Sequence, residues 1–208
     1  MLAVIDYDTG NVRNVKKALD HLDIENCLTA DPEVIKQADG LILPGVGAFA
    51  KAMQAIASRN LVEVLQTQAR AGQPMLGICL GMQLLFDRSE EFGETQGLGL
   101  LPGAVVAIPE KPGLKVPHMG WDTNNGRAIN RFGRVFDGEA TYFVHSYYVQ
   151  TAAKNIVATC DYGVQIPSVV QQNNVVGMQF HPEKSGVVGL AGLKAFKEMV
   201  ADADFSRN

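Results

Sequence analysis

The amino-acid sequence predicts an α/β fold with an open, mostly parallel sheet flanked by helices. In the first half of the chain, short apolar runs alternate with segments of helical periodicity, the pattern of strands joined by crossover helices. The second half contains short β-rich runs separated by glycine and proline, which predicts an additional antiparallel portion. Hydrophobic residues make up 47% of the 208 positions and no linker or repeat divides them, so we expect a single domain over residues 1–208.

The first half contains four predicted strands, at residues 2–7, 24–29, 40–43 and 74–78. Asn11 is a candidate helix cap, and the apolar positions that follow it recur every three or four residues, at Val12, Val15, Ala18, Leu19 and Leu22. A second helical segment is predicted from just after residue 47 to about Arg70. The fourth strand runs directly into Cys79.

The second half contains further short strands between residues 98 and 179, including 141–145, 156–160 and 175–179. Residues 190–200 have helical periodicity and close the fold. This part is therefore predicted to be partly antiparallel.

Composition excludes several classes of partner. The net charge is −4 and the basic residues are scattered, which gives no footprint for nucleic acid or an anionic membrane surface. No apolar run approaches the roughly 20 residues of a membrane span, and Met1 leads into an apolar strand without the basic segment of a signal peptide. We expect a cytoplasmic protein. Three widely spaced cysteines suit neither a disulfide framework nor a zinc cluster, and no metal or cofactor is expected.

Cys79 lies in a glycine-flanked segment, GICLG at residues 77–81, between a predicted strand and a predicted helix. This matches the G-x-nucleophile-x-G turn with sulfur in place of oxygen. Glycines allow strand, helix and substrate to approach closely at such a strained turn, and the helix N-terminus favours the thiolate. A buried structural cysteine is the alternative that the glycines disfavour. Cys27 and Cys160 lie in ordinary apolar strands and are expected in the core.

His181 is the candidate base, because the sequence HPE at residues 181–183 places a carboxylate two residues after it. Imidazole titrates in the range that proton transfer requires. In the extended backbone expected before Pro182, residues i and i+2 share a face, so Glu183 can fix the tautomer of His181. A surface turn is the alternative if the tripeptide is considered alone.

The other three histidines are weaker candidates. His21 is predicted on the polar face of the first helix, where it would be solvated. His118 is expected in a loop and His145 at the end of an apolar strand, and neither has an obvious acidic neighbour in the sequence.

The sequence PGVG at residues 44–47 follows the third strand and is suited to stabilising an oxyanion. Hydrolysis of a carboxamide passes through a tetrahedral oxyanion that backbone N–H donors stabilise. The two glycines permit the Val46 peptide to present its N–H, with the Leu80 N–H as a second donor. Alone, this tetrapeptide is equally consistent with a strand-ending turn.

These segments together resemble the triad family of glutamine amidotransferases, whose pattern is G-x-C-x-G-x-Q followed by a distant H-P-E. Here the two parts are residues 77–83 and 181–183. Within the family the chain is most similar to the glutaminase subunits of imidazole glycerol phosphate synthases, and the likeness covers nearly the whole chain. It rests on residues 44–49 (PGVGAF), 117–121 (PHMGW), 145–148 (HSYY) and 177–186 (GMQFHPEKSG).

Other glutaminases of the family are less similar. Those of anthranilate and carbamoyl-phosphate synthesis tend to have SPGPG where this chain has LPGVG at residues 43–47. The pyridoxal-phosphate glutaminase carries a different glycine-rich segment there.

The resemblance implies residues that bind glutamine. These are Gln83, Glu91, Ser146 and Tyr147, with the Gly47 backbone nearby. Their chemistry is suitable, because an α-ammonium group pairs with a carboxylate such as Glu91 and an α-carboxylate with hydroxyl and N–H donors. Ordinary polar surface residues are the alternative for each.

The resemblance also implies a protein partner. That partner is a separate cyclase subunit with a (β/α)₈ barrel, which forms a heterodimer with the glutaminase. It uses the ammonia to form imidazole glycerol phosphate and an aminoimidazole carboxamide ribonucleotide in histidine biosynthesis. The positions expected to face or gate the partner are Asn11, Asn14, Lys17, Trp121 and Lys184. Relatives often have glycine where Asp8 stands, so the loop at residues 6–11 departs from the family pattern.

Three alternatives remain open at this point. One is a glutaminase subunit of another ammonia-using synthase. Another is a free-standing cysteine hydrolase of the same fold, which Gln83 and the Ser146–Tyr147 pair disfavour. The third is a catalytically silent scaffold, which the intact set of Cys79, His181 and Glu183 disfavours.

Overall fold

A computed structural model describes residues 1–8 and 10–205 and contains a nine-stranded and a four-stranded sheet. The strands are β1 (Leu2–Ile5), β2 (Asn26–Thr29), β3 (Gly40–Gly45), β4 (Met75–Cys79), β5 (Phe86–Ser89), β6 (Thr95–Gln96), β7 (Leu101–Ala107), β8 (His118–Gly126), β9 (Ala140–His145), β10 (Tyr147–Gln150), β11 (Ile156–Asp161), β12 (Gln165–Gln172) and β13 (Val175–Met178). The helices are α1 (Val12–His21), α2 (Pro32–Gln37), α3 (Phe49–Ser58), α4 (Leu61–Arg70), α5 (Leu80–Leu84), α6 (Arg131–Phe136) and α7 (Gly186–Phe205).

The larger sheet has the strand order β2-β1-β3-β4-β13-β12-β11-β8-β9. Its first five strands pair in parallel, and the remaining four pair antiparallel. The smaller sheet has the order β10-β7-β5-β6. The predicted α/β class with an antiparallel portion in the second half is confirmed.

Alternation along β1 explains the two-sided core. Val4 packs on one side of the sheet in a cluster that includes Leu19 of α1 and residues of α7. Ile5 points to the other side, in a cluster that includes Leu65 of α4. A strand buried on both faces is typical of a parallel sheet covered by crossover helices.

Candidate functional residues lie at the carboxyl ends of the parallel strands. The chain runs from β1 outward to β2 and then returns to β3 on the other side of β1, so the connections change direction there. Ligands of such sheets bind beyond the carboxyl ends of the strands near a change of this kind. Cys79 ends β4 and Gly45 ends β3, and the two are paired in register.

Several predicted elements differ from the structure. The single helix expected through Arg70 is two helices, because Asn60 adopts a left-handed conformation with φ 57° between α3 and α4. Helix α2 was not predicted, although Asp31 caps it by accepting from the N–H of Glu33 and Pro32 begins it. The closing helix starts at Gly186, earlier than residue 190.

Two predicted local environments were also wrong. His118 was expected in a loop and instead begins strand β8, fully buried. Cys160 is buried as expected, whereas Cys27 is only partly buried against the core. Within the described residues, no helix is long and apolar enough to span a membrane.

Candidate active site

Cys79 sits at a sharp turn between β4 and α5, with φ 54° and ψ −112°. A Cβ at Gly77 would lie 2.6 Å from the carbonyl oxygen of Gly81, and a Cβ at Gly81 would lie 1.8 Å from that of Leu43. Side chains at either position are therefore excluded by backbone atoms. The steric explanation of the glycine-flanked turn is confirmed.

Glu183 and His181 form a buried pair next to this turn. His181 Nδ1 lies 2.7 Å from Glu183 Oε1, and the two side chains are 1% and 0% exposed. Because a carboxylate only accepts, Nδ1 carries the proton and Nε2 is left for Cys79. Nε2 makes no hydrogen bond to another described group. Two residues from one short segment thus fix which imidazole nitrogen faces the thiol.

The electrostatics of the pair favour its charged form. Burial acts to lower the pKa of His181, but the interactions with Cys79 and with Glu183 outweigh it and raise that pKa to about 9. Burial acts to raise the pKa of Glu183, and the contacts with His181 and Asn11 reverse this and lower it. An imidazolium beside a sulfur atom stabilises a thiolate.

Strand β13 and strand β9 position His181. Its N–H donates to the Tyr142 carbonyl at 3.0 Å, and its carbonyl accepts from the Ser185 hydroxyl at 2.7 Å. The same Ser185 hydroxyl accepts from the Tyr142 N–H at 3.0 Å. These bonds tie the HPE segment to β9, about 40 residues earlier in the chain.

The segment at residues 44–47 lies beside the nucleophile because Gly45 pairs with Cys79. The Tyr7 hydroxyl donates to the Pro44 carbonyl at 2.8 Å, and a Cβ at Gly45 would lie 2.6 Å from that hydroxyl oxygen. Gly47 follows with φ +98°, a conformation that disfavours other residues. Val46, between the two glycines, is 38% exposed.

A cavity of about 340 Å³ opens over Cys79. Its volume lies in the usual range for small-molecule sites. Nine of the residues predicted from the sequence line it: Val46, Gly47, Cys79, Leu80, Gln83, Glu91, Ser146, Tyr147 and His181. The fold therefore brings the candidate nucleophile, base, oxyanion donors and glutamine-binding residues to one place.

Gln83 and Glu91 are held by backbone groups. Gln83 Nε2 donates to the Tyr147 carbonyl at 2.9 Å and to Gln179 Oε1 at 3.1 Å. Two acceptors on one amide nitrogen fix the orientation of the Gln83 amide. Glu91 Oε2 accepts from the Phe49 N–H at 2.6 Å, at the start of α3. Both side chains are thereby fixed at the cavity.

Three further lining residues were not assigned to the site from the sequence: Pro117, Val144 and His145. His145 directly precedes Ser146 and Tyr147, so adjacency to a predicted binding pair was the available signal. Pro117 and Val144 carry no side-chain chemistry that a sequence pattern would single out.

The residues predicted to face a partner lie around the cavity rather than in it. Asn11 contacts the candidate triad directly, because its Nδ2 donates to Glu183 Oε1. Asn14 and Lys17 are exposed on α1. Trp121 packs edge-on against the Tyr142 ring at 6.1 Å, and Lys184 Nζ lies 5.8 Å from the centroid of that ring.

Asn11 also shows why the predicted cap was only partly right. It occupies the N-cap position of α1 but with φ 79°, and its side chain makes no cap hydrogen bond. That side chain is used for Glu183 instead. Asp8, where the resemblance led us to expect glycine, likewise has positive φ (62°) and forms an ion pair with Arg59.

Comparisons with known proteins agree with this geometry. The family model described as glutamine amidotransferase class-I matches residues 3–196. The imidazole glycerol phosphate synthase subunit HisH of Lacticaseibacillus casei is 62% identical over 208 residues, covering 100% of both chains. The same subunit of Lactiplantibacillus plantarum is 60% identical over 208 residues, also with 100% coverage of both.

Solved structures show the same fold at low sequence identity. A crystal structure of a glutamine amidotransferase superposes with a TM-score of 0.77 at 18% identity, covering 96% of this chain and 98% of that one. The structure of PurLQS from Thermotoga maritima gives a TM-score of 0.74 at 20% identity, with coverage of 96% and 98%. The chain belongs to the class-I glutamine amidotransferase family and, within it, to the HisH subunits of imidazole glycerol phosphate synthase.

Proposed function

We propose that this chain hydrolyses glutamine to glutamate and ammonia and supplies the ammonia to a separate cyclase subunit in histidine biosynthesis. The observation that carries the proposal is that Cys79 and His181 line one cavity while Glu183, buried behind them, pairs with His181 Nδ1. Full-length identity of 62% to a HisH subunit supports the same assignment.

In the first half-reaction the Cys79 thiolate attacks the side-chain amide carbon of glutamine, and the amide oxygen becomes an oxyanion. His181, charged because Glu183 and Cys79 raise its pKa to about 9, donates its Nε2 proton to the amide nitrogen. The C–N bond breaks, ammonia leaves and a thioester remains on Cys79.

In the second half-reaction His181, now neutral, accepts a proton from water at Nε2. The hydroxide oxygen attacks the thioester carbon, the C–S bond breaks, and glutamate leaves with the thiolate and imidazolium restored. Glu183 keeps Nδ1 protonated throughout, which leaves Nε2 for both transfers.

The oxyanion of both tetrahedral intermediates is assigned to the N–H groups of Val46 and Leu80. Leu80 directly follows the nucleophile, and the Gly45–Cys79 pairing brings Val46 to the same end of the sheet. Each donor of this kind is typically worth about 10²–10³ in rate.

Glutamine is placed with its α-ammonium group near Glu91 and its α-carboxylate near Ser146 and Tyr147. Gln83 and the Gly47 backbone complete the contacts. All five residues line the cavity, and Glu91 and Gln83 are already oriented by backbone hydrogen bonds.

The partner is assigned as a (β/α)₈-barrel cyclase that forms a heterodimer with this chain in the cytoplasm. Trp121, which packs against Tyr142, and Met119 are 56% and 62% exposed, as suits an interface. Asn11, Asn14, Lys17, Trp121 and Lys184 are the proposed contact and gating residues. We treat residues 1–208 as a single glutaminase domain, which the matched range of 3–196 supports.

The test is glutamate release from glutamine, measured for the chain alone and with the cognate cyclase subunit and its nucleotide ligand. We expect release in the complex and none from the Cys79→Ala variant in the same complex. Release by Cys79→Ala at the wild-type rate would refute the assignment of the nucleophile. No release by the wild-type complex would refute the function.

A further inference from the structure

Two histidines outside the candidate triad form a buried cross-strand pair. His118 of β8 lies directly opposite His145 of β9 in the antiparallel register, and His118 Nδ1 is 3.0 Å from His145 Nε2. They are 1% and 7% exposed. A buried pair of imidazoles is costly unless each nitrogen has a partner of the opposite type.

The pair continues at both ends into further hydrogen bonds. His118 Nε2 lies 2.8 Å from Asp122 Oδ2, and His145 Nδ1 lies 2.9 Å from the Tyr147 carbonyl oxygen. The His118 ring also stacks on the rings of Phe143 and Tyr162, with centroid distances of 4.7 Å and 3.9 Å. The chain of contacts therefore runs from a half-exposed carboxylate to the backbone of the proposed glutamine-binding turn.

The Tyr147 carbonyl oxygen, which contacts His145 Nδ1, fixes the tautomer of His145. A carbonyl oxygen only accepts, so His145 Nδ1 must carry a proton. Burial lowers the pKa of His145 to about 3, so this ring is neutral and its Nε2 accepts. His118 must then donate from Nδ1 to complete the second contact.

We call the hydrogen-bonded chain of Asp122, His118 and His145 the relay. It reaches the proposed glutamine-binding turn at the Tyr147 carbonyl. This carbonyl accepts from His145 Nδ1 and also from Gln83 Nε2 at 2.9 Å. Ser146 and Tyr147 lie where the chain passes from β9 in the larger sheet to β10 in the smaller one. Main-chain bonds support the smaller-sheet side of this turn, because Tyr147 pairs with Ala107 and the Ile108 N–H donates to the Ser146 carbonyl at 2.9 Å. His145 and Gln83 add side-chain donors at the Tyr147 carbonyl.

We propose that His145, oriented by His118 and Asp122, is a positioning residue that holds the Ser146–Tyr147 turn in its glutamine-binding conformation. This inference rests on the proposed function. Its consequence is that the relay affects the binding of glutamine and leaves the chemistry at Cys79 unchanged.

Counting protons gives the relay a dependence on pH. Its three contacts need three protons, and two neutral imidazoles supply two, so the third is shared between His118 and Asp122. Burial lowers the pKa of His118 more than contact with Asp122 raises it, so this proton leaves as the pH rises. A remaining Asp122 carboxylate then draws the single His118 proton to Nε2. Among the described residues, Tyr162 stacks on the His118 ring, Cys160 lies near Asp122, and His181 lies near His145.

Two amide variants of His145 separate positioning from general packing. In His145→Asn the amide nitrogen of the new side chain replaces the Nδ1 donor, whereas in His145→Gln the amide lies nearer the Nε2 position. We expect His145→Asn to keep the KM for glutamine within about threefold of wild type, and His145→Gln to raise it about tenfold, with kcat little changed in both. Equal effects of the two variants, or a loss of kcat at unchanged KM, would overturn the proposal.

Asp122→Asn tests the proton count. An amide N–H at this position donates to neutral His118 Nε2, so all three contacts are satisfied without the extra proton. Because the pKa of His118 is lowered from 6.5, the KM of the wild-type complex with the cyclase should rise as the pH increases within the range below about 6.5, while that of Asp122→Asn stays flat. Parallel pH profiles for the two proteins would contradict the relay.

A measurement on the free chain distinguishes failure of the relay from failure of the proposed function. In ¹⁵N-histidine NMR spectra, His145 should be the Nδ1–H tautomer, and His118 should titrate in wild type. An Nε2–H tautomer for His145 overturns the proposal whatever the substrate is. Glutamate release by the wild-type complex decides the function independently.

Discussion

Asn11 Nδ2 donates to Oε1 of Glu183, the same oxygen that accepts from His181 Nδ1 at 2.7 Å. Asn11 Nδ2 also lies 3.3 Å from His181 Nδ1, but both atoms are donors, so the carboxylate is the acceptor of both. Asn14 Nδ2 donates to Asn11 Oδ1 at 2.7 Å and fixes the orientation of its amide. The first turn of α1 thus stabilises the charged form of Glu183.

Replacing Asn11 by glycine is expected to lower kcat about tenfold with little change in the KM for glutamine. Glycine removes the donor to Glu183 and adopts the φ of 79° without strain, so the backbone of the turn is kept. Steady-state kinetics of the complex measures this. The matched control is Asn14→Ala, which leaves the Glu183 contact in place and should have a smaller effect. A larger loss for Asn14→Ala than for Asn11→Gly would contradict this interpretation.

A glutamine-like electrophile is expected to modify Cys79 alone. Burial raises the pKa of the Cys160 thiol to about 12, with Asp122 and Asp161 adding to the effect, and burial also raises that of Cys27. Both remain thiols at neutral pH, and a thiol is a poor nucleophile. Peptide mass mapping after partial inactivation identifies the labelled site. Inactivation that follows labelling of Cys27 or Cys160 would remove Cys79 from the assignment.

Replacing Glu183 by glutamine is expected to lower turnover about 100-fold while glutamine binding stays nearly intact. Loss of the carboxylate removes one of the two interactions that raise the pKa of His181 to about 9. Because that folded-state pKa is raised, the stability that the charged His181 contributes is fully present below about pH 6.5 and is lost as the pH rises through about 9. The alkaline limb of the pH–rate profile should therefore move to lower pH in Glu183→Gln. An unchanged turnover and profile would show that another group orients His181.

The chain alone is expected to hydrolyse glutamine poorly and to be activated by the cyclase with its nucleotide. Gly45 and Gly47 give the Val46 peptide backbone freedom, and a resting peptide with its carbonyl toward the site would deprive the oxyanion of one donor. A partner that favours the other peptide state by about 3–4 kcal/mol would restore about 10²–10³ in rate.

Replacing Val46 by proline tests this activation. Proline removes the N–H and restricts φ, so the variant should bind the cyclase and lose the stimulation. Val46→Ala keeps the N–H and is the matched control, which should remain activated. Glutamate release is compared for both variants and wild type, with complex formation measured separately. Full activity of the wild-type chain without cyclase or nucleotide would refute the switch.

The local chemistry of the site was predictable from the sequence because its signals are short-range. The glycines around Cys79 mark a turn with no room for a Cβ at either flanking position, and the predicted pairing of His181 with Glu183 is present. The expected geometry was only partly right: His181 is extended, but Pro182–Lys184 form a 3₁₀ turn, so the two side chains meet across that turn rather than on the shared face of an extended segment. The apolar runs of the first half likewise indicated parallel strands, because a strand buried on both faces of a sheet needs apolar residues at consecutive positions.

Long-range contacts were decided only by the tertiary structure. His118 and Asp122 had no recognisable relation to His145 in the sequence, and only the antiparallel register of β8 and β9 places the two imidazoles 3.0 Å apart. Asn11 similarly had the pattern of a helix cap, but a contact across 172 positions draws its side chain to Glu183. The sequence by itself determined which groups can react, because reactivity follows residue type and its immediate neighbours. The register of β8 against β9, and the position of the start of α1 beside the HPE segment, determined which groups hold them in place, because hydrogen-bond partners are selected by distance in space.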